Sequence, residues 1–436
     1  MLKTGAKFIV ILTFVFSLSR CIDPYVPKLN GYESLLVVEG LVTDANSSYT
    51  VKLSRSVGEL DTSPEVISDA RVYINDEVDN TIFLKSSGDG RYKTDSLHFR
   101  GVIGNTYVLH IETSEGDYYE SEPYKMEPVA EIDNIYYRKD MNPGENGTVM
   151  NEGLRIFLDS KGGSSNKFYR WDFEETWKFK IPTPKKFDYV NETTIVEVMD
   201  VKEYCYKQSK SSEILIYSAY ERYSDHVENQ PVFFIDPKKS DRLMLQYSIL
   251  VKQYSISSRE YEFWNNMKKI NEKGGDIFAL QPFPVVSNVH NINNSSERVL
   301  GYFQVSAVKE KRIFISFSDL VGMNLPFYKY PCKRIEMAPE DYPSSGFGPP
   351  MTWDQLYDMY CKTSLFYFVE PKYVPGTTTL QKLVFTTPEC ANCELTGTRE
   401  TRFLGRFQMK IIGFINRKYQ NHILLNNLFY HQISSI

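Results

Sequence analysis

From Leu35 onward, apolar and polar residues alternate with a period of two. Leu35–Val42 (LLVVEGLV) is a buried run, and Tyr49, Val51 and Leu53 share one face of YTVKLS while Thr50, Lys52 and Ser54 share the other. Ala70, Val72 and Ile74, then Tyr107, Leu109 and Ile111, repeat that rhythm. Turn signals fall between the runs at Asp44–Asn46, Ser87–Gly90, Gly101–Asn105 and Ser114–Gly116. About seven short strands spaced by such turns predict a β-sandwich over residues 35–127. Pro128 breaks the alternation within Met126–Asn134, so a second domain is expected over residues 128–403.

The second domain reads as larger and β-rich. In Lys167–Lys180 (KFYRWDFEETWKFK), Tyr169, Trp171, Phe173 and Trp177 line one face; Arg170, Asp172, Glu174 and Lys178 line the other, with Glu175 out of phase. Further strands are expected at Thr193–Val201, Glu213–Tyr217, Arg242–Lys252, Val299–Val308 and Lys311–Ser318, and a Gly/Asn-rich loop at Met141–Gly153. Two short helices interrupt them. Ser257–Lys273 opens with a Ser257/Glu260 capping box and carries a Tyr261, Trp264, Met267, Ile270 stripe. Thr352–Lys362 opens with Thr352 and Gln355, and turns Trp353, Leu356, Tyr357 and Tyr360 inward. The fold class is therefore mostly β: an N-terminal Ig/fibronectin-like sandwich, then a larger β-rich domain.

The start of the chain follows a different pattern. Lys3 and Lys7 precede Phe8–Leu18, eleven residues without a charge, and Leu-Ser-Arg closes at Cys21. The run is shorter than the roughly 20 residues of a spanning helix, so residues 1–20 read as a signal peptide. The Leu-Ser-x-Cys ending resembles a bacterial lipobox, with Arg20 standing where a small residue is usual. It implies cleavage before Cys21 and acylation of that cysteine. Residues 21–34, with two prolines and a glycine, then read as the lipidated cysteine and a tether.

Composition bears on partners. The 436 residues include 31 Tyr and 27 Phe, a bias that suits pleated, half-buried surfaces. The formal charge of −5 becomes −8 once Lys3, Lys7 and Arg20 leave with the signal. No basic stripe follows a strand or helix, which argues against nucleic acid as a partner.

Candidate chemistry is sparse. Beyond Cys21 there are five cysteines, an odd number, and an exported compartment permits disulfides. Cys205, Cys332, Cys390 and Cys393 are the disulfide candidates, with connectivity open, and Cys361 beside a helix stripe is the odd thiol. Cys390-Ala-Asn-Cys393 lacks the further ligands of a zinc knuckle, and Glu394 stands where haem attachment needs a histidine. Asp172, Glu174 and Glu175 could suggest a glycosidase pair, but a solvated strand face with Arg170 and Lys178 accounts for them. His98 and His110 fall at solvent-side strand positions, and His290 in an Asn-rich loop has no partner. No catalytic residue, metal site or cofactor is expected.

Several segments carry a resemblance in order: LLVVEGLVTD, SVGELDTSPEVISDARVYIND, GNTYVLHIET, YESEPYKMEPVAEIDNIYY, YEFWNNMKKINEKGGDIFALQPFPVVSNVHNINN, VLGYFQVSAVKEKRIFIS and CANCELTGT. Together they resemble uncharacterised surface lipoproteins of Bacteroidota, a domain-of-unknown-function family often associated with TonB-dependent outer-membrane receptors. The resemblance spans roughly residues 21–398. It implies outer-membrane anchoring at the cell surface and a role beside a receptor barrel, and assigns no catalytic residue. Asp95-Ser96-Leu97 resembles a short O-glycosylation acceptor of exported proteins of that group, centred on Ser96. Such proteins resemble one another in ending soon after the CxxC; here residues 404–436 follow, with Arg406, Lys410, Arg417 and Lys418 and no acid. A basic tail poorly packed on the family fold is expected. The function expected is a lipid-anchored, non-enzymatic accessory protein of a TonB-dependent receptor in nutrient uptake. The alternatives are a surface glycan-binding or glycan-processing protein, and an adhesion or surface-structure protein.

Overall fold

Strand β1 (Leu36–Thr43) alternates so that Leu36, Val38 and Val42 are buried while Val37, Glu39 and Leu41 face outward. Alternation continues through β2 (Thr50–Arg55), β4 (Arg71–Asp76), β6 (Arg91–Lys93), β7 (Thr106–Glu112) and β8 (Tyr118–Ser121), joined by the mostly exposed β5 (Thr81–Ser86) and the two-residue strands β3 (Glu65–Val66) and β9 (Tyr124–Lys125). The protein is seen here in a computed structural model that describes residues 34–399, apart from 58–63, 79, 96–98, 145, 146, 148, 163–166, 223–225, 274–285 and 343–350.

These strands do not separate into the two facing sheets of an Ig- or fibronectin-like sandwich. Apart from β3, paired with β2, and β9, paired with β7, they follow one path, completed by β19 (Val289–Asn291) and β20 (Leu300–Ser306), in the order β19-β8-β7-β4-β5-β6-β2-β1-β20. β1 pairs antiparallel with β2 and parallel with β20. The two ends of the path are tied by the buried Asn288, whose amide donates to the Phe303 carbonyl (2.8 Å) and accepts from the Phe303 N–H (2.9 Å). A side chain thus stands in for the missing strand bonds, and the sheet nearly closes into a barrel. Val51, Leu53, Ile74, Leu109, Ile111, Phe303 and Val305 fill it. Gly301 sits at φ +83° against β1, where a Cβ would collide with the Val38 carbonyl oxygen, so only glycine permits this close approach.

A second layer follows. β10 (Ile132–Pro143), β11 (Met150–Ser160) and β17 (Val227–Ile235) form one sheet. β15 (Tyr204–Lys210), β12 (Phe168–Lys180), β18 (Gln246–Ser255) and β21 (Val308–Ser316) form another, with β16 (Leu215–Ser218) also on β12. Phe173 meets Phe233 across the layers at 5.0 Å between ring centroids, and Gln253 donates to Ser160 Oγ at 2.8 Å. Most of Met141–Gly153, expected as a loop, lies instead in the arms of the β10–β11 hairpin. Arg155 holds the arms together by donating to Asp140 (2.6 Å) and Asn142 (2.7 Å). The strand expected from Arg242 starts only at Gln246, because Asp241–Leu243 forms a 3-10 turn capped by Ser240.

The last layer joins β22 (Arg334–Met337), β24 (Leu380–Thr386) and β23 (Tyr367–Tyr373) to the hairpin of β13 (Phe187–Asn191) and β14 (Thr194–Glu197). Leu356, on the Trp353–Cys361 helix, joins Phe368, Leu383 and Phe385 in a separate small core. That helix begins at Thr352 with the reciprocal capping box to Gln355, and the other long helix spans Ser258–Lys273.

Candidate functional site

The three neighbouring carboxylates of β12 do not converge. Strand alternation places Asp172 and Glu174 on one face and Glu175 on the other. Asp172 takes both Arg170 amino groups at 3.0 Å, and Glu174 pairs with Lys252 at 3.0 Å. Lys178 leans over the Tyr204 ring instead. Glu175 is buried, clasped by Arg242 (2.8 and 3.0 Å) and by the Tyr247 hydroxyl (2.7 Å). Each carboxylate is committed to a cation, Arg170 and Lys252 on the sheet and Arg242 on the 3-10 turn before β18, which is a structural arrangement.

The histidines also separate. His110 is not at a solvent-side position: it is buried, stacked on Tyr73 at 4.8 Å, and its Nδ1 lies 2.8 Å from the Tyr118 hydroxyl. Burial depresses its pKa, with Glu120 and Glu112 opposing. The period-two pattern misplaced it because His110 shares its side of β7 with the ring-rich outer face of β4 and β8, which covers it. His290 is exposed on β19. Cys205 is bonded to Cys393 and Cys332 to Cys390, with Cα separations of 5.7 and 6.0 Å; among the described residues Cys361 is the free thiol, and burial pushes its pKa up. Among the described residues no group of three His, Cys, Asp or Glu could hold a metal ion, and no helix is long and apolar enough to cross a membrane. Cys21, Ser96, His98 and the 404–436 tail lie outside the described residues.

A groove forms where the Ser258–Lys273 helix lies over the outer face of β1 and β20. Ser257 Oγ caps the helix by accepting from the Glu260 N–H at 3.1 Å. The expected reciprocal bond is absent: the Ser257 N–H donates to the Tyr124 hydroxyl at 2.7 Å, which releases the Glu260 carboxyl to turn inward. There Glu260 Oε1 accepts from Trp264 Nε1 at 3.1 Å, while Oε2 is buried with no hydrogen-bond partner among the described residues. Burial pushes the Glu260 carboxyl up to about 8, with Arg170 pulling the other way. The Arg170 guanidinium lies over the Trp264 ring at 4.6 Å and the Tyr254 ring at 5.0 Å, and its Nε–H is likewise buried without a partner. Tyr261, Trp264 and Met267 of the predicted stripe face inward together with Phe263, which the stripe omitted and which packs on Tyr302 at 4.9 Å. The groove holds about 660 Å³, floored by Val37, Leu41, Leu300, Tyr302 and Gln304 and walled by Phe263, Trp264, Met267 and Arg170.

A second depression of about 640 Å³ lies between residues 237–244 and 317–328. Leu243 and Leu320 form its buried floor, while Phe317 (40%), Val321 (62%) and Phe327 (69%) stay exposed at its rim.

A family profile described as Domain of unknown function (DUF4249) matches residues 22–312. The match takes in the strands of the near-closed barrel and every residue of the helix-roofed groove, and stops before Phe317. No curated protein matches the chain.

Proposed function

The chain belongs to the DUF4249 family of unknown function, and from that premise we propose that it is a lipid-anchored, non-enzymatic binding protein of the outer-membrane surface. In this reading Cys21 carries the acyl chains, residues 22–34 are the tether, and the folded body is the accessory partner of a TonB-dependent receptor barrel in nutrient uptake. The observation that carries the reading is the exposed apolar surface of Phe317, Val321 and Phe327, which a partner would cover. Two long-range disulfides support an oxidising compartment. The commitment of Asp172, Glu174 and Glu175 to neighbouring cations supports a role in binding rather than glycoside cleavage.

The test is capture from detergent-solubilised outer membranes. The full chain should bring down a barrel protein, and Phe317→Ser with Phe327→Ser should reduce that recovery at least tenfold. Cys21→Ser should abolish labelling by a clickable fatty acid and release the protein from the membrane fraction. Recovery of the chain alone, with membrane fractionation unchanged in Cys21→Ser, would overturn both halves of the proposal.

A further inference from the structure

We infer that the crevice between the β1–β2 turn and strands β18 and β21 binds a single neutral sugar ring, whose hydroxyls are received by Tyr254, Lys252 and Glu310. The inference rests on reading the chain as a binding protein, but not on the identity of its receptor.

The crevice lies where the barrel meets the second layer. Residues 44–49 turn the chain from β1 into β2, and three bonds fix that turn. Asp44 accepts from the Val308 N–H of β21 at 2.8 Å, Ser48 Oγ donates to the Thr94 carbonyl at 2.6 Å, and the Tyr49 hydroxyl donates to the Thr43 carbonyl at 2.6 Å. The space left against β18 and β21 is about 240 Å³. That falls below the roughly 300–1,000 Å³ of drug-sized ligands and equals about eight waters at their liquid volume, so the occupant is small.

Tyr254 is the group that asks for a ligand. It is 4% exposed and lines the crevice, and its hydroxyl makes no hydrogen bond among the described residues. That hydroxyl is not sealed from solvent, so it opens into the crevice and not into the core. The ring cannot turn to seek another partner, because it packs with Ile256 and Tyr261 and lies under the Arg170 guanidinium, 5.0 Å from the ring centroid. Buried polar groups are nearly always satisfied, so a held phenol left unpaired at an opening points to a partner from outside.

Charge then narrows the class. Lys252 Nζ lies 3.0 Å from Glu174 and 3.6 Å from Glu310, one ammonium between two carboxylates. An anionic ligand would meet both carboxylates, and a cationic one would crowd Lys252. A hydroxyl does neither, since it can donate to Glu310 while accepting from Lys252 or Tyr254. The rest of the lining suits a ring that carries such hydroxyls: Leu41, Ala45 and Val308 offer apolar contact to its C–H face, and Ser47 and Thr50 add further hydroxyl partners.

The experiment uses the mature chain carrying Cys21→Ser. The methyl glycosides of glucose, galactose and mannose are titrated by calorimetry at pH 6.5, with the matching uronic acids and 2-amino sugars beside them. At least one methyl glycoside should bind, and its charged analogues should bind at least tenfold more weakly. Tyr254→Phe removes one hydroxyl that the fold does not use, so affinity should fall about tenfold while the urea midpoint stays unchanged. Ala45→Trp fills the crevice and should abolish binding. No binding by any of the three glycosides, tighter binding of a charged analogue, or binding that survives Ala45→Trp would each overturn the inference. So would unchanged affinity in Tyr254→Phe, or a fall in its urea midpoint, which would show that the hydroxyl bonds within the fold. Failed receptor capture alongside intact glycoside binding would remove the receptor and leave this site standing.

Discussion

Glu260 shows how one residue can match a local pattern and serve another purpose. Ser257 and Glu260 have the spacing of a capping box, and half of that box forms. The other half is displaced by Tyr124, a residue 133 positions away in sequence, so no local rule could reveal it. The consequence is a buried carboxyl whose protonated form the fold favours, with its pKa raised from 4.5 to about 8. A raised carboxyl pKa makes its contribution complete below about 4.5 and lost as pH climbs through about 8. Glu260→Gln should therefore gain stability over the parent as pH rises from 5 to 8.5, on the order of 3 kcal/mol at the upper end, read from urea midpoints. A parallel shift of both proteins across that range would refute the assignment. His110 acts with the opposite sign: burial lowers its pKa, so its contribution is present above the ordinary histidine value of 6.5 and fades in acid. Glu175 reads from sequence as one of a group of carboxylates on a solvated strand face, but its place in the apolar phase of β12 buries it, and its partner Arg242 comes from a turn 67 positions away.

At the scale of elements, caps and alternation locate most pieces. The Trp353–Cys361 helix begins at the expected Thr352 box, and β12 alternates as its aromatic residues require. Cysteine pairing was not legible, since four thiols allow three connectivities and spacing does not choose among them. Folding crosses the CxxC outward, so Cys393 holds β15 through Cys205 while Cys390 holds Cys332, which lies just before β22. The loops they close differ, at 188 and 58 residues of separation. Chain entropy assigns about 5 kcal/mol to the first and about 4 kcal/mol to the second. Paired Cys→Ser variants measured by urea unfolding should rank in that order, with the Cys205/Cys393 pair the more costly to remove. The reverse order would mean that the disulfides act through local native contacts instead.

For the whole molecule, the deciding event is the pairing of β1 with β20, residues more than 250 positions apart. It turns a run of hairpins into a near-closed barrel and creates the outer face on which the Ser258–Lys273 helix rests. Gly301 and Asn288 make the closure possible, one by lacking a Cβ and the other by lending its amide to Phe303. Asn288→Ala would leave two backbone groups of Phe303 without partners, which should cost about 2–4 kcal/mol. Hydrogen exchange should then rise selectively in β19 and β20 while β12 and β18 stay protected. Equal acceleration in both layers would argue that the barrel and the second layer unfold as one unit. What the sequence determined by itself was everything carried by short-range periodicity and chemistry: a mostly β chain, two capped helices, and the inward aromatic face of β12. What only the tertiary structure decided was the strand order, the disulfide pairing, the burial of Glu260 and the groove beside it. Each of these depends on contacts between residues distant in sequence, and alternation specifies which face a side chain takes without specifying what lies opposite.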